Sequence, residues 1–213
     1  VEPGTVIETH LGEAFEVRRL RGPDLFDHLA RTGAPMMPRD IGLVIGHTGV
    51  ASGDRVLDAG TGTGVLAAYL GRLGVEVTTY ERDPEFADVA RQNMETAGVS
   101  TLVAVRTGDL TEALDELDGG FDLLTLDTGD APAVVERAPD LLAPGGFLAV
   151  YSPFVESTRE CVAAARSAGL AEIETLETIQ RRMDFDDRGS RPSTAGVGHT
   201  GYLTFARFLP SFE

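Results

Sequence analysis

Residues 56–64 read Val56-Leu57-Asp58-Ala59-Gly60-Thr61-Gly62-Thr63-Gly64, and Val65-Leu66-Ala67-Ala68 follows directly. An aliphatic run ends in a carboxylate, breaks into alternating glycines and gives way to helix-forming residues, which predicts a strand, a tight turn and a helix. Glycines there let the backbone approach a ligand and present the first N–H groups of the helix to it. Position 65 is Val, so the spacing is G-x-G-x-G and departs from the G-x-G-x-x-G of dinucleotide-binding turns. From residue 55 onward such units repeat. Strands are predicted near 55–59, 75–80, 101–106, 121–127 and 146–151, with helices near 64–73, 83–97, 132–142 and 155–168 between them. That alternation predicts an α/β fold, a doubly wound Rossmann-like sheet whose strands run mainly parallel. Two longer β-type runs, 171–183 and 199–209, close the chain. The polar loop between them is too short for a crossover helix, so they are expected to pair antiparallel.

Ahead of this core, residues 5–19 alternate in a strand-like way, and 24–31 and 39–49 have helical patterning. This lead-in begins abruptly, and an N-terminal piece is expected to be missing. With 213 residues, 42% hydrophobic and 24% charged, the composition is that of a globular domain and excludes disordered, collagenous and disulfide-stapled classes. Apolar stretches run to only a few residues, far short of the ~20 that span a bilayer. Val1-Glu2-Pro3-Gly4 has no basic region followed by an apolar run, so no secretory signal is expected. Cys161 is the single cysteine. An intramolecular disulfide is therefore impossible, and a cytoplasmic location is expected.

The net charge is −16, and every one of the 18 basic residues is Arg. Such a charge ordinarily opposes nucleic-acid binding, while an acidic, lysine-free surface also suits a salt-rich, halophilic cytosol. Salt adaptation is the favoured reading of the sum, and its distribution matters more. Residues 41–180 hold 23 acidic against 8 basic side chains, whereas the two ends are nearly neutral and hold 10 of the 18 arginines. Basic surface is thus concentrated outside the βα core.

Three features around the glycine turn point to one cofactor. Asp58, two residues before the first glycine, suits a cationic amino-acid group and would repel a pyrophosphate. S-adenosylmethionine carries both an ammonium and a sulfonium. Glu81, at the predicted end of the second strand, can accept both ribose hydroxyls. Gly108-Asp109-Leu110, just after the third strand, can offer a carboxylate to the adenine amino group and an apolar cover to its ring. Cofactor-binding candidates are therefore Asp58, Gly60, Gly62, Thr63, Gly64, Val65, Leu66, Glu81, Asp109, Leu110 and Asp127, all expected at the C-terminal edge of the sheet.

This constellation resembles the class I S-adenosylmethionine-dependent methyltransferases, which implies a seven-stranded sheet with an antiparallel last strand. Met36-Met37-Pro38-Arg39-Asp40, Thr125-Leu126-Asp127, Ala149-Val150-Tyr151-Ser152-Pro153, Arg191-Pro192-Ser193-Thr194 and above all His199-Thr200-Gly201-Tyr202-Leu203-Thr204-Phe205-Ala206-Arg207 make the chain similar to the archaeal form of the tRNA (adenine-N1) methyltransferases that act on the T-loop. The resemblance implies methyl transfer to N1 of a T-loop adenine (position 57 or 58) in tRNA, Asp127 as the catalytic aspartate and a homotetramer. It also implies that residues 1–22 are the remnant of an N-terminal β domain, ahead of a methyltransferase domain at 23–213. Where other members carry a D-x-P-x-P motif, this chain reads Asp127-Thr128-Gly129-Asp130-Ala131-Pro132. Bacterial members place a tyrosine where Met37 stands.

A carboxylate beside N1 stabilises the charge that develops on a methylated adenine ring, and Tyr151 is an aromatic that can contact a flipped-out base. Arg39, Arg181, Arg182, Arg188, Arg191 and His199 are the substrate-binding candidates, with Arg18, Arg19 and Arg21 as a second contact to RNA phosphate. A salt-bridged solvated loop is the bland reading of the arginines between 181 and 191. His10, His28 and His47 are scattered without metal-ligand spacing, so no metal is expected. Cys161 reads as a small core residue. Two other functions fit the same cofactor half: a protein-L-isoaspartate O-methyltransferase and a non-catalytic RNA-binding subunit.

Overall fold

A computed structural model describes residues 1–210. Its centre is a sheet of seven strands: β3 (Arg55–Ala59), β4 (Glu76–Glu81), β5 (Val103–Thr107), β6 (Phe121–Leu126), β7 (Leu142–Ser152), β8 (Ala171–Glu177) and β11 (Tyr202–Arg207). Across the sheet they lie in the order β5-β4-β3-β6-β7-β11-β8. The first five run parallel, and β11 inserts antiparallel between β7 and β8. The expected seven-stranded doubly wound sheet with an antiparallel last strand is thus the observed one.

Strand periodicity sorts the core onto two faces. Val56, Val77, Leu123, Ala149, Leu203 and Phe205 point to one side, against α1 (Gly22–His28), α2 (Pro38–Thr48), α3 (Val65–Arg72) and α4 (Pro84–Ala97). Their sequence neighbours Leu57, Leu124, Leu148, Val150 and Ala206 point to the other, against α6 (Ala131–Glu136), α7 (Ala138–Leu141) and α8 (Val155–Ser167). Burial on both faces is why these strands read as aliphatic runs. Cys161 is buried in the second cluster.

Three elements depart from the sequence reading. The helix expected over 132–142 is two, α6 and α7, because Pro139 lacks an N–H and cannot continue the helical ladder from α6. The polar loop after β8 contains a hairpin, β9 (Met183–Asp186) with β10 (Gly189–Pro192), whose alternation was hidden because all eight residues are exposed. A one-turn helix, α5 (Leu110–Ala113), follows β5 with Asp109 as its cap. In the lead-in, the strand-like stretch is a hairpin of β1 (Val6–Glu8) and β2 (Ala14–Glu16), exposed throughout.

The topology fixes where chemistry can occur. The order reverses between β3 and β6, the point at which open α/β sheets leave a crevice beyond their carboxyl ends. Loops 60–64, 81–83, 108–109, 127–130 and 152–154 all converge on that edge.

Candidate active site

The glycine loop is shaped by what lies against it. Gly60 has φ +89, and a Cβ there would sit 2.0 Å from the backbone carbonyl oxygen of Asp127. Gly64, φ +76, would meet Met94 at 2.6 Å. The Asp127 N–H donates to the Ala59 carbonyl at 2.8 Å, so the ends of β3 and β6 are joined at the crevice. The Gly62 N–H donates to Glu81 Oε2 at 2.8 Å, which fixes the Glu81 carboxylate beneath the turn. Buried Asn93 of α4 ties the lead-in to this loop, donating from Nδ2 to the carbonyls of Ala30 (2.9 Å) and Thr63 (2.8 Å) and accepting from the Ala30 N–H (3.0 Å).

Three adjoining chambers open on this edge. The first is lined by the glycine loop, Thr63, Val65, Leu66 and Asp58, with Thr32–Met36 of the lead-in as its far wall. The second is lined by Glu81, Arg82, Asp109, Leu110 and Asp130. The third is lined by Tyr151, Pro153, Phe154, Ser157 and Cys161. Phe86 borders the first two, and Asp127 borders all three.

Charge distinguishes the chambers. The first holds two carboxylates, Asp58 and Asp127, and no arginine lines it. Asp58 accepts from the hydroxyls of Thr79 and Thr125, each at 2.5 Å, and burial raises its pKa despite them. The Asp127 side chain opens onto the cleft yet stands deep between its walls; burial, then the neighbouring Asp58 charge, pushes its carboxyl up to about 7. Two carboxylates strained in this way favour a cationic ligand. Asp109 is the opposite case. Thr111 donates to it from both Oγ1 (2.7 Å) and N (2.8 Å), and Arg82 lies at 3.4 Å, so its pKa is lowered. Arg82 reaches Asp130 at 2.7 Å across the mouth of the second chamber.

S-adenosylmethionine fits this donor set. Thr32 Oγ1 is buried without a hydrogen-bond partner among the described residues in the wall of the first chamber, where a carboxylate acceptor would satisfy it, and Gly62, with no atom nearer than 4.0 Å to where its Cβ would be, leaves room a side chain would fill.

On the third chamber, the Tyr151 hydroxyl donates to the Thr200 carbonyl at 2.5 Å. A Cβ on Gly201 would lie 2.6–2.8 Å from the Tyr151 ring and hydroxyl, so the His-Thr-Gly-Tyr run needs glycine for the ring to pack. Arg39 has an 8% exposed side chain. Its guanidinium donates to the Val197 carbonyl and to Thr200 Oγ1, each at 3.1 Å. Thr200 Oγ1 in turn donates to buried Asp40 at 2.8 Å. Arg39, expected from the sequence to touch substrate, therefore clamps the 197–200 loop onto α2. His199 bonds Glu177 and the Pro153 carbonyl beside the same chamber.

Arg181, Arg182, Arg188 and Arg191 lie on or beside the β9–β10 hairpin, away from the crevice. All are exposed, and among the described residues none forms an ion pair. The salt-bridged alternative for this loop is not what the structure contains. Arg18, by contrast, pairs with Glu16 at 3.0 Å. No cluster of potential metal ligands occurs among the described residues, and no helix is long and apolar enough to cross a membrane.

The sequence reading missed Thr32, Asn93 and Phe86. Thr32 and Asn93 carry no motif. Phe86 stands in the first turn of α4 outside its buried face, which is Ala87, Ala90, Asn93, Met94 and Ala97, and borders the cleft instead.

A family profile described as tRNA methyltransferase complex GCD14 subunit matches residues 27–189. The chain belongs to this family. The tRNA (adenine(57)-N(1)/adenine(58)-N(1))-methyltransferase TrmI of Methanocaldococcus jannaschii is 33% identical over 240 residues, covering 99% of this chain and 84% of that protein. Among solved structures, an S-adenosylmethionine-dependent O-methyltransferase of Thermotoga maritima has a TM-score of 0.85 at 27% identity, covering 99% of this chain and 80% of its own. The tRNA (m1A58) methyltransferase TrmI of Aquifex aeolicus has 0.81 at 20% identity, covering 99% and 91%, a likeness of fold. A protein-L-isoaspartate O-methyltransferase of Methanoculleus marisnigri is 36% identical over 111 residues, covering only 52% of this chain and 49% of its own. This member of the GCD14 family is accordingly an S-adenosylmethionine-dependent methyltransferase.

Proposed function

We propose that the protein transfers a methyl group from S-adenosylmethionine to N1 of a T-loop adenine, position 57 or 58, in tRNA. The observation that carries this reading is Asp127, the residue common to all three chambers. A donor in the first two and a base in the third would meet at its carboxylate.

When bound, S-adenosylmethionine supplies an electrophilic methyl group on a sulfonium. Thr32 would hold the amino-acid carboxylate and Asp58 would favour the ammonium. Glu81 would accept from the ribose hydroxyls. Asp109 would take the adenine amino group, with Leu110 and Phe86 against its ring. On the acceptor side, the Tyr151 ring and Phe154 would bracket a flipped-out adenine. As N1 takes the methyl the base becomes cationic, and ionised Asp127 stabilises that charge or accepts a proton from the exocyclic amino group. No strong base is required. The exposed arginines Arg181, Arg182, Arg188 and Arg191 would contact tRNA phosphate, offsetting the acidic core.

Homotetramer assembly and a salt-rich cytoplasm complete the proposal. Support comes from apolar side chains exposed before and on the β9–β10 hairpin, Ile179 at 70% and Phe185 at 77%, and from the −16 charge without a lysine. Labelled methyl transfer to unmodified tRNA in high salt, with nucleoside analysis and an Asp127→Ala control, tests the function. The expected product is 1-methyladenosine, lost in the variant. Label on an isoaspartyl peptide and none on tRNA would reject the substrate assignment.

A further inference from the structure

His199 is held between two acceptors. Its Nδ1 lies 2.6 Å from Glu177 Oε1, at the end of β8, and its Nε2 lies 3.0 Å from the Pro153 carbonyl, in the turn between β7 and α8. A carboxylate and a carbonyl both require an N–H opposite them, and only the imidazolium has two. Pro153 and Phe154 form one wall of the third chamber. The next two residues of the same run hold the other: Tyr151 rests on Gly201 and donates to the Thr200 carbonyl.

We propose that His199 is a positioning residue that, as the imidazolium, fixes the Pro153–Phe154 wall of the acceptor chamber, so that affinity for the RNA base falls as the ring loses a proton. This rests on the third chamber being where the base enters. The charged groups facing the ring are Glu177 from β8 and Arg39 from α2; Asp40, also on α2, acts from behind Thr200, and the Tyr202 ring of β11 packs at 5.0 Å between centroids. The Pro153 carbonyl and Glu177 favour the charged ring and Arg39 opposes it, with a net upward pKa shift. Below that pKa both bonds are made. Above it the single remaining proton stays with the carboxylate, a lone pair faces the Pro153 carbonyl, and the turn is released. The ring is half exposed, so the effect is local to this wall.

Two measurements on the full chain decide it. Nitrogen-15 NMR of the imidazoles, with His199 assigned by its absence in His199→Gln, should show both His199 ring nitrogens still protonated above pH 6.5, the ordinary histidine value. Steady-state kinetics with an unmodified tRNA transcript should show KM for tRNA rising about three- to tenfold as pH passes the His199 titration, relative to His199→Gln, the effect of giving up one charge-assisted hydrogen bond at a half-exposed site, while the Kd for S-adenosylmethionine follows the same pH profile in both proteins. Glu177→Gln should move that midpoint to lower pH, and His199→Gln should abolish it. A singly protonated ring throughout, or the same KM profile in wild type and His199→Gln, would overturn the proposal. The NMR measurement needs no RNA, so a wild type that methylates no tRNA would reject the substrate reading while the ring's proton count still decides whether His199 is the charged clamp.

Discussion

The carbonyl oxygen of Asp127 occupies the space a side chain on Gly60 would need, 2.0 Å from where its Cβ would be. The clash is backbone against backbone, so no rotamer relieves it, and φ +89 at Gly60 is itself unfavourable for any other residue. The glycine that starts the cofactor turn and the aspartate that ends β6 are thus one unit.

Gly60→Ala is therefore expected to part β3 from β6 at the crevice. Stability should fall by about 1–3 kcal/mol from backbone strain alone, and affinity for S-adenosylmethionine should be lost. Urea unfolding and titration calorimetry on the same samples check both. Unchanged binding would mean that the turn is not the cofactor cradle.

Asp127→Asn should lower kcat by about 10²–10⁴, the range of general acid–base and charge-stabilising groups, while raising Tm at and above neutrality. The sign follows from a folded-state pKa of about 7 against an ordinary carboxylate value in the unfolded chain. Ionised Asp127 costs the fold most above pH 7, and the cost shrinks as pH falls toward about 4. The Tm gap between variant and wild type should therefore close over that window. In the wild type, kcat should rise with pH as the carboxylate ionises; a variant less stable than wild type at about pH 8 would contradict the assignment.

Thr32→Val keeps the side chain's shape and removes a buried hydroxyl that has no partner among the described residues. A hydrogen bond to a charged carboxylate is worth about 1.5–3 kcal/mol, which predicts a Kd for S-adenosylmethionine at least tenfold weaker. Methylthioadenosine, which lacks the amino-acid carboxylate, should bind both proteins alike. Equal weakening for the two ligands would place Thr32 away from the tail.

Alanine at Arg181, Arg182, Arg188 or Arg191 should weaken tRNA binding without altering S-adenosylmethionine affinity. Removing one arginine–phosphate pair should flatten the slope of log K against log salt by about 0.7–0.9. Filter binding over a salt series reads this directly, and an unchanged slope would return these arginines to the role of solubilising surface.

Much of the architecture was legible because burial on both faces writes itself into strands as aliphatic runs, and because turns such as 60–64 demand glycine. Asp58, Glu81, Asp109 and Asp127 could be named from their places after successive strands. The β9–β10 hairpin left no such signal: with all residues exposed, nothing constrains alternate positions to be apolar.

By itself the sequence determined the parallel α/β core, the crevice at its carboxyl edge and the acidic residues that line it, since each follows from local periodicity and local turn chemistry. Only the tertiary structure decided which groups remain free to act. Arg39 is spent on Val197 and Thr200, residues about 160 positions away, Thr32 keeps a hydroxyl without a partner among the described residues, and His199 meets Glu177 and Pro153 from two other strands' ends. Those pairings exist because β11 returns antiparallel between β7 and β8, and a hydrogen bond between such distant residues has no trace in any local pattern.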